Sequence, residues 1–146
     1  MKRLAIGLIL AALLGASAAG AAPQPFTVSA DAVELIDGDT FVVAGVHYRL
    51  VGADTPEIRG AACYAERRLG EIARNQVRAW LDRAGAARVE PTGEGQPATA
   101  RFRHVRVYAR LFAGERDVAE LLIAARYSLL PGERRSGWCG GLYRPH

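Results

Sequence analysis

The stretch from Ile36 to Glu57, IDGDTFVVAGVHYRLVGADTPE, decides how this chain is read. Thr40 to Val43 is a β-rich run and Ala44-Gly45 a turn. Val46 to Leu50 then alternates, with Val46, Tyr48 and Leu50 on one face and His47 and Arg49 on the other. If the apolar face meets the core, Arg49 points outward. In front of the first run, Asp37-Gly38 predicts a tight hairpin turn. That turn accounts for Asp37 and Gly38 but not for the second acid, Asp39, placed where the strand should begin. Behind the second run come Asp54 and Glu57, three residues apart, with Pro56 between them. Proline disfavours the helical conformation of the residue before it, which keeps Thr55 extended and its carbonyl free to point outward.

Working outward, Val33 and Leu35 share a face opposite Glu34, within a β-favouring stretch from Thr27 to Ile36 that follows a short lead-in at 23–26. Cys63 to Arg83 has helical spacing, with Leu69, Ile72, Ala73, Gln76, Val77, Trp80 and Leu81 on one stripe and Gly85 as the stop. Ala87 to Glu90 predicts a short strand and Pro91 to Ala100 a Gly/Pro-rich loop. Phe102 to Phe112 alternates again, with Val105, Val107, Ala109 and Leu111 opposite His104, Arg106, Tyr108 and Arg110. Asp117 followed by Glu120 predicts a capped helix to about Ala125, buried through Val118, Leu121, Leu122 and Ala125. The tail after Pro131 is rich in Gly and Arg, with Trp138 and Cys139 to hold it. The order of three strands, a helix, two strands and a helix suits a mainly β, α+β chain. The expected fold is a five-stranded OB-type Greek-key barrel with two or three packed α-helices.

The chain ends set the compartment. Met1-Lys2-Arg3, the apolar run Leu4 to Leu14 and the small residues Gly15 to Ala22 have the order of a secretory signal peptide. The apolar run is shorter than the roughly 20 residues a membrane span needs. The expected division is residues 1–22 as signal and 23–146 as one domain, large enough for its own core. After the signal, 17 basic residues face 15 acidic ones, a small excess that says little about partners. Every one of those basic residues is Arg, which suits bidentate phosphate recognition and also fits a GC-rich coding bias. Cys63 and Cys139 are the only cysteines. In an oxidising compartment two cysteines usually pair, so a disulfide is expected rather than free thiols or a metal site. Periplasmic or secreted localisation follows, with no stable membrane association.

Asp39, Asp54 and the Thr55 carbonyl offer hard oxygen ligands, and Glu57 can contact an ion through water. Such a set suits Ca²⁺ better than Zn²⁺. Each acid alone has an ordinary reading: Asp39 as a turn cap, Asp54 in an Asx-turn, Glu57 as solvated surface. Together with an outward Arg49 they supply what phosphodiester hydrolysis requires. That is a cation on a phosphoryl oxygen, a carboxylate beside water and a guanidinium for transition-state charge.

The two linked segments, DGDT and then R-L-x-x-x-D-x-P-E about a dozen residues on, resemble the signature of the staphylococcal nuclease (thermonuclease-like) family. Weaker resemblance runs from about residue 28 to 130. It implies an OB-type barrel, Ca²⁺, and cleavage of DNA or RNA. It also implies Asp39, Asp54 and Thr55 as metal ligands, Glu57 acting on water, and Arg49 on the scissile phosphate. A Cys before the first helix and a late Trp-Cys are similar to exported bacterial members. The family usually shows D-x-Y-G-R in the next strand, and here the match falls on Phe102-Arg103-His104-Val105-Arg106. The arginine survives as Arg106, with Arg103 and Arg110 as rivals. The Asp, Tyr and Gly do not, and His104 or Tyr108 is the candidate to replace the missing phosphate donor. His47 and His146 read as structural or incidental, and Tyr64, Trp80, Trp138 and Tyr143 as packing groups. The expected partner is nucleic acid, single-stranded DNA or RNA, bound by a monomer. The alternative is an OB-type module that binds nucleic acid with weakened or no catalysis.

Overall fold

A computed structural model describes residues 23–98, 103–130 and 133–140. The expected signal segment, Phe102, Tyr143 and His146 lie outside the described residues.

The hairpin at the heart of the chain joins β3 (Thr40–Val43) to β4 (Val46–Leu50). Val43 pairs with Val46, so only Ala44 and Gly45 form the turn. Both have positive φ, 48° and 79°, the combination a type I′ turn needs to match strand twist. Tyr48 and Leu50 are buried, whereas Val46, beside the turn, is exposed. β2 (Glu34–Leu35) pairs with β3 on the other side.

The tight Asp37-Gly38 turn is corrected by the structure. Leu35 pairs with Phe41, which leaves a five-residue connection. Ile36 and Asp37 both donate their amides to the Thr40 carbonyl. Gly38 is not among the glycines of positive φ. Its lack of a side chain answers to space instead: a Cβ there would lie 3.0 Å from Thr55 Cγ2 and 3.1 Å from Ala73 Cβ.

β1 (Phe26–Ser29) already includes Phe26, expected in the lead-in, and a 3₁₀ turn at Ala30–Ala32 separates it from β2. β1 pairs antiparallel with β5 (Ala86–Gln96), β5 pairs antiparallel with β6 (Arg106–Ala113), and β6 runs parallel to β4. The sheet path is β1-β5-β6-β4-β3-β2, with β7 (Arg116–Asp117) added on β6. The strands at its two ends are successive pieces of the 26–35 segment, so the sheet must curl back on itself. This is an OB-type barrel with packed helices, of α+β class.

β5 is longer than the expected strand at 87–90, and the expected loop from Pro91 is strand as far as Gln96. Proline has no ladder donor, and the register shifts between Pro91 and Gly95 where pairing resumes. Gly95 allows that resumption, because a Cβ on it would sit 2.8 Å from the Arg106 carbonyl oxygen. β6 starts only at Arg106, and Val105 is 62% exposed instead of sharing the core with Ala109 and Leu111.

The helix α1 (Tyr64–Ala84) buries Ala73, Val77, Trp80 and Leu81, while Ile72 is turned to solvent. Cys63 is its N-cap, and Gly85, at φ 74°, closes it by donating its amide hydrogen bond to the Leu81 carbonyl. Tyr64 is 76% exposed and packs little, against expectation. The helix α2 (Val118–Ala124) is capped by the Asp117 side chain, which accepts from the Ala119 amide. A third α-helix among the described residues, α3 (Ser136–Cys139), buries Trp138. The expected disulfide joins Cys63 to Cys139 with Cα atoms 5.9 Å apart. Among the described residues, no helix is long and apolar enough to cross a membrane.

Candidate active site

Strand register brings the motif together. Thr40 lies opposite Arg49 in the β3–β4 ladder, so Asp39 at the head of β3 and Arg49 near the end of β4 are neighbours. Asp39 is buried. One of its oxygens accepts from Arg49 Nη1 at 2.5 Å and from the Thr40 hydroxyl at 3.1 Å, and the other from the Thr55 amide at 2.6 Å. Burial raises the Asp39 pKa, against the Arg49 guanidinium and the Thr55 amide, which favour the charged form. The second nitrogen of the same fork, Arg49 Nη2, reaches Asp54 Oδ1 at 2.8 Å. One guanidinium therefore joins both expected metal-binding carboxylates.

The segment after β4 is clamped from three directions. The Asp54 amide donates to Ser128 Oγ at 2.9 Å, and the Asp54 carbonyl accepts from the Leu129 amide at 3.0 Å. Glu66, buried in the first turn of α1, accepts from the Glu57 and Ala62 amides at 3.3 and 2.6 Å. Asp37 accepts from the Ile58 amide at 3.1 Å. Helix α1 approaches through Gly70, where a Cβ would fall 2.6 Å from the Pro56 carbonyl oxygen. Thr55, Pro56 and Glu57 are consequently buried and fixed.

Beside this segment opens a cavity of about 380 Å³. Asp37, Thr40 and Glu57 line it together with Arg59, Arg103 and Arg106, and His47 and His104 form part of its wall. Arg106 is buried, and that burial, with the Arg49 charge nearby, lowers its pKa against the pull of Asp39 and Glu57. Among the three candidate arginines, Arg106 lines the cavity and so does Arg103, while Arg110 pairs instead with Asp117. Asp37 is pushed up to about 6, by burial first, then by the Asp39 and Glu57 charges, and in spite of the Ile58 amide. Tyr108 lies opposite Arg49 in the β4–β6 register and is not among the cavity-lining residues.

Three participants escaped the sequence reading. His47, expected to be incidental, stacks on His104 with ring centroids 4.1 Å apart and planes 7° from parallel. Burial lowers the His47 pKa, and the His104 and Arg106 charges act in the same direction. Glu66 had one faint signal, a glutamate three residues after the helix N-cap, the position from which such side chains reach backward. Arg135 had none. Its Nε donates to Asp54 Oδ2 at 3.1 Å, its Nη2 to Asp54 Oδ1, and its Nη1 to Glu57 Oε1 at 3.2 Å. Desolvation acts to lower the Arg135 pKa, but the bonds to Asp54 and Glu57 outweigh it and the net shift is upward.

The donor set accords with a hard cation: two carboxylates, Asp39 and Asp54, converge on one charged group, with Glu57 beside them. In the folded chain that charged group is guanidinium, and among the described residues no three His, Cys, Asp or Glu side chains converge as a preformed metal centre. Asp39 and Asp54 fit Ca²⁺ provided Arg49 and Arg135 give up carboxylate oxygens. No protein-family model matches the chain, and no curated protein matches it.

Proposed function

We propose that this chain is an exported, Ca²⁺-dependent phosphodiesterase that cleaves DNA or RNA. The observation that carries the reading is the Arg49 fork joining Asp39 and Asp54 beside Thr40, which lines a cavity together with Glu57 and Arg106. Asp39 and Asp54, with Thr55, would hold the ion, which when bound supplies Lewis-acid polarisation of a phosphoryl oxygen. Glu57 orients the attacking water or takes its proton. Arg49 and Arg106 bind the scissile phosphate and stabilise charge that grows on it in the transition state. Arg103 and His104, which line the same cavity, would contact a neighbouring part of the polyanion. The Cys63–Cys139 bridge accords with a periplasmic or secreted protein.

The test is digestion of single-stranded DNA and RNA by the purified protein in Ca²⁺ and in chelator. Cleavage should require Ca²⁺, and Glu57→Gln or Arg106→Ala should each slow it by about 10²-fold or more. Absence of cleavage in Ca²⁺, or cleavage indifferent to chelator and to Glu57→Gln, would sink the proposal.

A second reading, a binding module without catalysis, draws on the guanidinium groups already seated on the carboxylates and on the altered 102–105 segment. It expects salt-sensitive oligonucleotide binding that survives Asp39→Asn and Asp54→Asn, with no cleavage under any metal.

A further inference from the structure

We infer that Arg135 is a tethered internal cation that competes with the metal ion for Asp54 and Glu57 and thereby sets the affinity of the site for it. The inference rests on the metal-dependent reading above. Both oxygens of Asp54 accept from Arg135, and one oxygen of Glu57 does as well. A carboxylate offers about four lone-pair sites, and Arg49 and Arg135 together take three of those on Asp54, so a first-sphere divalent ion on Asp54 would sit directly against the Arg135 guanidinium and be repelled by it.

Arg135 and Arg49 are not equivalent rivals of the ion. Arg49 lies within β4, its side chain 16% exposed, and it also holds buried Asp39. Arg135 projects from the chain just before α3, its side chain 40% exposed, and can withdraw toward solvent. Its reach is limited on the far side. Its guanidinium lies 5.9 Å from the ring of buried Trp138, and Cys139 is bridged to Cys63 at the head of α1. A competitor held this way acts at a fixed local concentration that dilution cannot reduce. Displacing it costs charge-assisted bonds, which are stronger than neutral ones, so the ion binds more weakly than Asp39 and Asp54 alone would allow.

Calorimetric titration of the oxidised protein with Ca²⁺ alone tests this, using wild type, Arg135→Gln, Arg135→Lys and Arg134→Gln. Arg135→Gln should bind Ca²⁺ about tenfold more tightly or better, the effect of losing one charge-assisted contact. Arg135→Lys, which keeps the charge without the fork, should fall between the two. Arg134→Gln removes the same charge one residue away and should stay near wild type. Thermal melts give a readout independent of activity. Arg135→Gln should melt below wild type in chelator and gain more from added Ca²⁺. Equal Ca²⁺ affinity in wild type and Arg135→Gln, or an equal gain in Arg134→Gln, overturns the inference while leaving the phosphodiesterase reading intact. Failure of every variant to bind Ca²⁺ overturns both the inference and the metal-dependent reading. Binding by Arg135→Gln where wild type shows none supports it in its strongest form.

Discussion

At the scale of single residues, the site buries acids and sets them close together, and burial is the larger cost. Asp37 shows the consequence. Its folded pKa is about 6 against an ordinary 3.8. A raised acid adds stability that is whole below pH 3.8 and lost as pH rises through about 6, amounting to about 3 kcal/mol for a shift of this size. Asp37→Asn stays neutral and can keep the Ile58 bond through its amide oxygen. In chelator it should match wild type near pH 4 and exceed it by up to about 3 kcal/mol at pH 8, measured by urea unfolding at each pH. Parallel pH profiles for the two proteins would show that Asp37 ionises freely. Arg49 is the counterpart. Arg49→Ala leaves buried Asp39 without its guanidinium, a loss expected to cost about 3–5 kcal/mol in the same assay. A variant within 1 kcal/mol of wild type would show that Thr40 and Thr55 alone satisfy Asp39. These residues were legible because their chemistry is local: Asp39, Arg49 and Asp54 lie on one hairpin and its exit. Arg135 was not, because its partners are 81 and 78 positions away and only the closed fold joins them.

At the scale of elements, one face of α1 acts as the base of the site. Glu66 holds the loop amides, and Gly70 gives the Pro56–Glu57 backbone room to lie against the helix. Glycine inside a helix is unfavourable by about 1 kcal/mol relative to alanine, so on propensity alone Gly70→Ala should stabilise. The added Cβ, 2.6 Å from a backbone oxygen, reverses that expectation, since overpacking of this kind costs about 1–3 kcal/mol. Gly70→Ala should therefore lower the unfolding midpoint and reduce the proposed cleavage by displacing Glu57. Higher stability with unchanged cleavage would mean that the loop yields at no cost. Periodicity exposed the helix and its Ala73–Val77–Trp80–Leu81 stripe. Periodicity is silent on which helix glycine faces another backbone. The expected end of β5 also falls too early, because a proline normally stops a strand. Here Gly95 lets the ladder resume past Pro91, and pairing continues to Arg106.

At the scale of the whole molecule, the barrel and the C-terminal segment are joined by one covalent link across 76 positions. The sheet curls because its first segment supplies both end strands, a closure that strand order could suggest but register had to establish. The bridge adds a second closure, from the head of α1 to α3. That bridge places Arg135 near Asp54 and Glu57 and seats Trp138 in the interior. Crosslinking a loop of this length removes enough unfolded-chain entropy to stabilise the fold by about 4 kcal/mol. The double variant Cys63→Ser/Cys139→Ser should lose about that much in urea unfolding. Because Trp138 is held by α3 and Trp80 by α1, loss of the bridge should free the first and leave the second seated. Tryptophan emission of the folded double variant should then shift part-way to the red, with a full shift only on complete unfolding. If the emission stays at its wild-type position, the barrel holds α3 without help, and the bridge stabilises the chain only by restricting its unfolded state.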